Sequence, residues 1–337
     1  MKLYSLITIS VSTFCLFSQL SFASSTGFQF HKISDPDDQP FEIGIWYPTD
    51  AEAPAEPNTP FLQALSINSE PAGANLPVVL MSHGYGGWMA GHADTALTLA
   101  QSGYVVVAPT HTGNNYEDES YPPSRWMQDR PRHIRLALDY ILSSWESREI
   151  IDPGKVGIFG FSAGGYTALV SSGAIPDIKT MLSYCADSPE ELACTLGLKE
   201  DPKIAELAEL FVENWGHDSR ISAAVVVAPG LGFAFNKQAL KQITIPVQLW
   251  AAANDKNVPY KSNTAIVRQS LPQEPDYHQV ENAGHFAFLP PCNPRLKGAN
   301  PEVWNMVCVD DPSFDRTMFH LIFNQKVLDF FNKSLGK

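Results

Sequence analysis

Val156-Gly157-Ile158-Phe159-Gly160-Phe161-Ser162-Ala163-Gly164-Gly165 is the stretch that decides how the rest of the chain is read. It runs as a short apolar strand, then G-x-S-x-G, then a helix beginning near Tyr166 and Thr167. The turn Asp152-Pro153-Gly154 precedes it. In a strand–turn–helix unit of this kind the serine sits on a sharp bend that lifts its hydroxyl above the sheet. A Cβ at either flanking glycine would meet the neighbouring strand or helix, and tight turns tolerate glycine best. The Ala163 N–H faces the same space as the hydroxyl, and the helix N-terminus beneath adds the positive end of a dipole. A nucleophile and half of an oxyanion-binding pair are thereby specified. The plainer reading is a Gly-rich turn with an ordinary serine. The β-branched and aromatic run ahead of Ser162 favours the nucleophile.

Outward from that unit, strands and helices alternate. Residues 26–32 and 41–47 alternate apolar and polar side chains around the turn-rich 35–40, the pattern of an antiparallel hairpin at a sheet edge. Residues 48–77, rich in Pro, Ala, Asn and Glu, read as a surface loop. A buried strand is predicted at 78–81, a helix at 92–101 ended by Gly103, and a strand at 104–108. Ile134, Leu138, Ile141 and Leu142 recur at helical spacing within 130–143. The rhythm breaks over 174–219, which contains a short amphipathic helix at 204–215 and reads as a small lid inserted over the site. Strands resume at 221–228, 245–250 and 277–280, and 326–331 lies in a closing helix. The expected fold class is α/β, a mostly parallel central sheet with helices on both faces.

The 337 residues suit one large domain, spanning 24–337, behind a leader. Lys2, the apolar run 6–20 and the small residues Ser21 and Ala23 read as a secretory signal over 1–23, cut after Ala23. A membrane anchor is the rival, but the run is short. Export makes the protein secreted or periplasmic. Without Cys15, the cysteines number four: Cys185, Cys194, Cys292 and Cys308. An even set in an oxidising compartment reads as disulfides. Local pairing is expected, since each neighbouring pair brackets a short Pro- or Gly-containing loop. No C-x-x-C or nearby His spacing supports a metal, and no cofactor is expected. A net charge of −13 without basic clusters argues against nucleic acid or an anionic membrane as a standing partner.

A nucleophilic serine needs a base, and the base needs an orienting carboxylate. His285, in Asn282-Ala283-Gly284-His285-Phe286 just beyond the last strand, stands where the chain order serine, acid, histidine places the base. Asp255, in the loop after the strand ending near Trp250, is the expected acid, against the plain alternative of a turn aspartate. Asp187 in the lid is its main competitor. The second oxyanion donor is expected from His83-Gly84-Tyr85-Gly86-Gly87, through the Tyr85 N–H, with the Ala163 N–H as the first. His83, at the oxyanion loop, Trp88 and His111 are the expected substrate-pocket residues. Tyr116 and Trp126 are further candidates for an apolar acyl pocket, and His320 reads as structural.

The set His83-Gly-Tyr-Gly-Gly, Gly-Phe-Ser162-Ala-Gly-Gly, Asn-Asp255-x-x-Val-Pro and Gly-His285-Phe resembles the α/β-hydrolase superfamily over essentially the whole mature chain. Within it the chain is similar to exported dienelactone-hydrolase-like proteins and to platelet-activating-factor acetylhydrolases. Ile45-Trp46-Tyr47-Pro48, Ser82-His83-Gly84, Arg130-Pro131 before a helix and a cysteine loop after His285 carry that likeness. The resemblance implies calcium-independent hydrolysis of carboxylic esters by Ser162, His285 and Asp255 through an acyl-enzyme. Two departures leave the substrate open: dienelactone hydrolases use a cysteine where Ser162 stands, and the acetylhydrolases place their acid after an earlier strand. The expected substrate is a small-molecule or lipid ester. A serine peptidase acting on small peptides, a lipid-directed lipase or acetylhydrolase, and a non-catalytic binder remain as alternatives.

Overall fold

The computed structural model describes residues 25–207 and 216–337. The leader expected at 1–23 and most of the helix expected at 204–215 lie outside the described residues. One sheet of nine strands runs β1 (Ser25–Ile33), β2 (Phe41–Thr49), β3 (Ser66–Ile67), β4 (Leu76–Ser82), β5 (Val105–Pro109), β6 (Ile151–Phe161), β7 (Ile221–Val227), β8 (Val247–Ala252) and β9 (Asp276–Val280). Its spatial order is β3-β1-β2-β5-β4-β6-β7-β8-β9. The β1–β2 hairpin is antiparallel and joins the sheet antiparallel to β5; from β5 to β9 every pairing is parallel.

The helices are α1 (Ala93–Gln101), α2 (Pro123–Ser143), α3 (Ala163–Ser171), α4 (Ile178–Asp187), α5 (Leu192–Thr195), α6 (Pro202–Leu207), α7 (Lys237–Leu240), α8 (Thr264–Ser270), α9 (Leu296–Ala299), α10 (Pro301–Val307) and α11 (Arg316–Leu335). Strands β4 and β5 are buried along their whole length, which explains their unbroken apolar runs: in a parallel sheet both faces are covered. The two-residue period of the strands splits the core. Val78, Leu80, Val105 and Val107 pack with Ile134 and Leu138 of α2 and Val170 of α3. Val79, Met81, Val106 and Ala108 pack with Leu99 of α1 and Phe323, Val327 and Phe331 of α11. Truncating a buried Phe such as Phe323 to Ala typically costs about 3–5 kcal/mol.

Four sequence expectations change. The helix after Ser162 starts at Ala163, not near Tyr166, because Ser162 itself makes the turn. Asp152-Pro153-Gly154 falls inside β6 as an irregularity: Ile151 pairs with Leu76 and Val156 with Val78, and the extra residues loop outward. The stretch 48–77 contains β3 and a bridge between Thr49 and Pro71, and it tucks Gln63 under Trp46, whose Nε1–H donates to Oε1 at 3.1 Å. Such single-partner anchors leave no periodicity to read. Pro131 lies within α2 rather than before it. A proline there cannot bond the carbonyl four residues earlier, and the freed Met127 carbonyl accepts the Tyr166 hydroxyl at 3.3 Å instead.

Disulfides join Cys185 to Cys194 and Cys292 to Cys308, the local pairing expected. The first ties α4 to α5 within the insertion between α3 and β7, whose Met181, Cys185, Cys194, Leu198 and Ile204 are part of the main core. The insertion is therefore packed down on the domain. Among the described residues, no helix is long and apolar enough to cross a membrane.

Candidate active site

The turn at Ser162 is built by close approach. Ser162 has φ 57° and ψ −118°, a conformation that costs a non-glycine residue about 1–3 kcal/mol and persists only where its surroundings enforce it. Here the Ser162 N–H donates to the Val227 carbonyl at 2.9 Å, and its carbonyl accepts the Gly230 N–H at 2.9 Å. A Cβ on Gly160 would lie 2.0 Å from the Gly164 carbonyl oxygen, and one on Gly164 would lie 1.9 Å from that of Ser82. Both glycines are thus required by contact between β6, α3 and β4, while the unusual backbone angle belongs to the serine between them.

Three side chains from three loops at the carboxyl edge of the sheet meet at this turn. Ser162 Oγ lies 2.9 Å from His285 Nε2, and His285 Nδ1 lies 2.7 Å from Asp255 Oδ2. Both His285 and Asp255 are buried. The other Asp255 oxygen, Oδ1, accepts the backbone N–H groups of Asn257 at 3.0 Å and Val258 at 2.7 Å. With the carboxylate fixed from behind, the imidazole donates from Nδ1 and presents the Nε2 lone pair to the serine hydroxyl. The His285 ring also packs on Phe161, with centroids 4.7 Å apart. His320 braces the same loop: Nε2–H donates to the Ala287 carbonyl at 2.9 Å, and Nδ1 lies 2.6 Å from Asp94 Oδ2. Asp187 ends α4 on the surface and takes no part in this chain of bonds.

The expected pocket residues His83 and His111 do not line the cavity beside Ser162; both are buried beneath the loop that carries Tyr85. His83 Nδ1–H donates to the Gly84 carbonyl at 2.7 Å, and its Nε2 accepts the His111 backbone N–H at 3.0 Å. That pair of bonds fixes one neutral tautomer. It also polarises the Gly84–Tyr85 peptide, whose N–H is the one expected to hold an oxyanion. His111 Nε2 lies 2.9 Å from Ser82 Oγ. Burial, and then the charge of Arg130, push both imidazoles well below the ordinary histidine range, so both stay neutral.

Arg130, quoted in the sequence only as part of Arg130-Pro131, has a place in the site that sequence reasoning did not give it. Its guanidinium is fully buried, and no carboxylate pairs with it among the described residues. It donates to Asn114 Oδ1 at 2.5 Å, to Thr167 Oγ1 at 3.1 Å and to the His83 carbonyl. Burial pushes its pKa down to about 9, still leaving it charged at neutral pH. One signal was present: position 130 falls on the apolar stripe of α2 with Met127, Ile134 and Leu138, where an arginine has no place unless it is bonded.

Trp88 packs on Phe61 and Tyr116, away from Ser162, and Tyr116 is exposed. Trp126 does line the cavity at Ser162 and Ala163, together with Tyr85, Leu192, Leu196 and Leu231. At its far end stand Glu191 and Asn263, which no motif marked. Asn263 Nδ2 donates to Glu191 Oε1 at 2.7 Å, and Glu191 Oε2 accepts the Tyr184 hydroxyl. The cavity encloses about 60 Å³. Glu191, Leu192, Ala193 and Leu196 of the insertion form part of its wall, beside Tyr85, Trp126 and Leu231 from other parts of the chain. Among the described residues, no group of three or more His, Cys, Asp or Glu is placed to hold a metal ion.

Comparison with known proteins follows the same lines. Residues 64–204, which include the Ser162 turn, match the family described as Dienelactone hydrolase family. A search of curated protein sequences finds no match. Among solved structures, the chain is similar to a ferulic acid esterase from Streptomyces cinnamoneus, with a TM-score of 0.62 and 17% identity, over 94% of this chain and 92% of that one. The fold is that of an α/β-hydrolase. Together the family match and the fold support a carboxylic ester hydrolase.

Proposed function

We propose that the protein is an exported serine esterase that cleaves esters of short acyl groups. Ser162 Oγ attacks the acyl carbon while His285 Nε2 takes its proton. The tetrahedral oxyanion sits between the Tyr85 and Ala163 N–H groups, and His285 returns the proton to the leaving alcohol. Water then enters by the same route, with its proton passing through His285, and releases the acid from the acyl-enzyme. Asp255 holds the imidazole in the required tautomer throughout. The observation that carries this reading is the continuous chain Ser162 Oγ–His285–Asp255 at 2.9 and 2.7 Å, with the far carboxylate oxygen fixed by two backbone N–H groups.

The size of the acyl group follows from volume. An apolar cavity of about 150 Å³ accommodates benzene, and the one beside Ser162 encloses about 60 Å³. An acetyl to butyryl chain suits it; an aromatic acid of the ferulic kind, or a fatty acyl chain, requires the insertion to move. Nothing in the cavity favours a peptide over an ester. The two disulfides are compatible with an extracellular setting.

The test is the rate on p-nitrophenyl esters from acetyl to palmitoyl, with Ser162→Ala as control. The expected kcat/KM peaks at acetyl to butyryl and falls at least tenfold by octanoyl, and Ser162→Ala abolishes it. A peak at long chains contradicts the short-acyl reading, and turnover surviving in Ser162→Ala contradicts the nucleophile.

A further inference from the structure

On the other side of His285 lies a second, much larger cavity, an open groove of about 690 Å³. Its walls are the loop after β8, the loop carrying His285, and the segment from α10 to the start of α11 that Cys292–Cys308 ties down. Asn257 lines both this groove and the acyl cavity, so the two meet across the Ser162–His285 bond. A substrate bound with its acyl group on the lid side must point its leaving oxygen toward His285, the group that protonates it. We propose that the groove is the subsite for the leaving alcohol, and that this alcohol is neutral and polyhydroxylated, of the glycerol or sugar class. This rests on the serine-esterase reading above and adds to it the other half of the substrate.

Three observations select that chemistry. Asn254, Asn257 and Asn282 all line the groove, and no hydrogen bond holds any of their side-chain amides among the described residues. Each amide offers two donors and an acceptor, which matches hydroxyl groups that both give and accept hydrogen bonds. The charges along the wall nearly cancel. Lys256 and Arg316 stand against Asp310 and Asp311, with Arg316 forked onto Asp310 at 2.8 and 2.7 Å, while Asp255 is committed to His285. The one charge left over is that of Asp255, buried behind His285, so the exposed wall carries none in excess to select an anion or a cation. Apolar side chains stand beside these polar groups, Phe286, Met306 and Val309, the last two 57% and 59% exposed, enough to cover one face of a sugar ring.

The experiment compares esters with one acyl group and different alcohols: ethyl acetate, glycerol monoacetate and methyl 6-O-acetylglucoside, assayed by acetate release with the full mature chain. The expected kcat/KM for the glycerol and glucoside esters exceeds that for ethyl acetate at least tenfold. A second measurement uses Asn254→Ala with Asn282→Gly, glycine being chosen because Asn282 has φ 58°. There the ratio of glucoside to ethyl ester is expected to fall toward one. Ratios near one in the wild-type chain, with turnover still dependent on Ser162, overturn the alcohol subsite and leave the esterase standing. No Ser162-dependent release from any of the esters overturns both.

Discussion

Replacing Asp255 by Asn changes one atom, and the structure dictates which way the amide must face. Asp255 Oδ1 accepts two backbone N–H groups, from Asn257 and Val258. An NH₂ in that position would set donors against donors, so the amide oxygen stays there and the NH₂ turns to His285 Nδ1. A donor facing Nδ1 forces the imidazole proton onto Nε2, 2.9 Å from Ser162 Oγ, where the lone pair that should take the serine proton is needed. The base is then in the wrong tautomer although every side chain keeps its place. In a serine triad that change costs about 10⁴ in kcat, or about 5 kcal/mol of barrier at 1.36 kcal/mol per decade. The assay is initial-rate hydrolysis of p-nitrophenyl acetate at neutral pH, with circular dichroism to establish that the fold is intact. The expected result is a loss of three to four decades in kcat with KM within a few-fold, as estimated for a triad aspartate. A folded Asp255→Asn protein within about tenfold of wild type would refute the role given to Asp255.

Further outcomes follow from the surroundings. Arg130→Met removes the buried cation and strands the His83 carbonyl and Asn114 Oδ1, so kcat is expected to fall about a hundredfold and the melting temperature to drop; Arg130→Lys, keeping the charge, should recover part of the rate, and an unchanged kcat in Arg130→Met would remove the residue from the oxyanion loop's support. Paired Cys185→Ser and Cys194→Ser changes open a loop with a sequence separation of 9 and should lower stability by about 3 kcal/mol; because the insertion forms part of the acyl cavity's wall, the chain-length preference should broaden too. Stability should fall steadily as pH drops from 7. Burial pushes His92 down to about 4 in the folded state, so between about pH 6.5 and 4 the unfolded chain binds a proton that the folded chain refuses, a loss of about 3 kcal/mol for that residue alone. Burial would raise the Asp94 and Asp218 carboxyls, but bonds from His320 and Asn324, and from Arg220, outweigh it and hold both below the usual range. What they contribute is present above about pH 4 and lost as pH falls through their folded values. Urea midpoints at pH 7, 5 and 3 check this sequence, and a midpoint unchanged between 7 and 5 contradicts the buried-histidine account.

The fold was legible because the signals that make it are local. Continuous apolar runs such as 78–81 mean a strand covered on both faces, and the Gly160 and Gly164 spacing marks a turn where backbones touch. Chain order led to His285 and Asp255 for the same reason: both follow strands at one edge of the sheet, where their side chains can meet. The pocket was harder. His83 and Trp88 stand near Tyr85 in sequence and His111 on the loop after β5, but position along a loop says nothing about which way a side chain turns: His83 turned inward onto backbone groups and His111 onto Ser82 Oγ. Glu191 and Asn263 meet across 72 residues through a single hydrogen bond, which no periodicity records. Pro131 shows the converse limit. A proline normally ends a helix, but α2 continues through this one, and the Tyr166 hydroxyl of another helix satisfies the Met127 carbonyl that it frees.

The central claim is that Ser162 is a nucleophile activated through His285. Treatment with a fluorophosphonate probe, followed by digestion and mass mapping, measures that directly. The account predicts a single adduct on the peptide containing Ser162, absent in Ser162→Ala and formed far more slowly in His285→Ala. No adduct on the folded wild-type chain, or one on another serine, would contradict it.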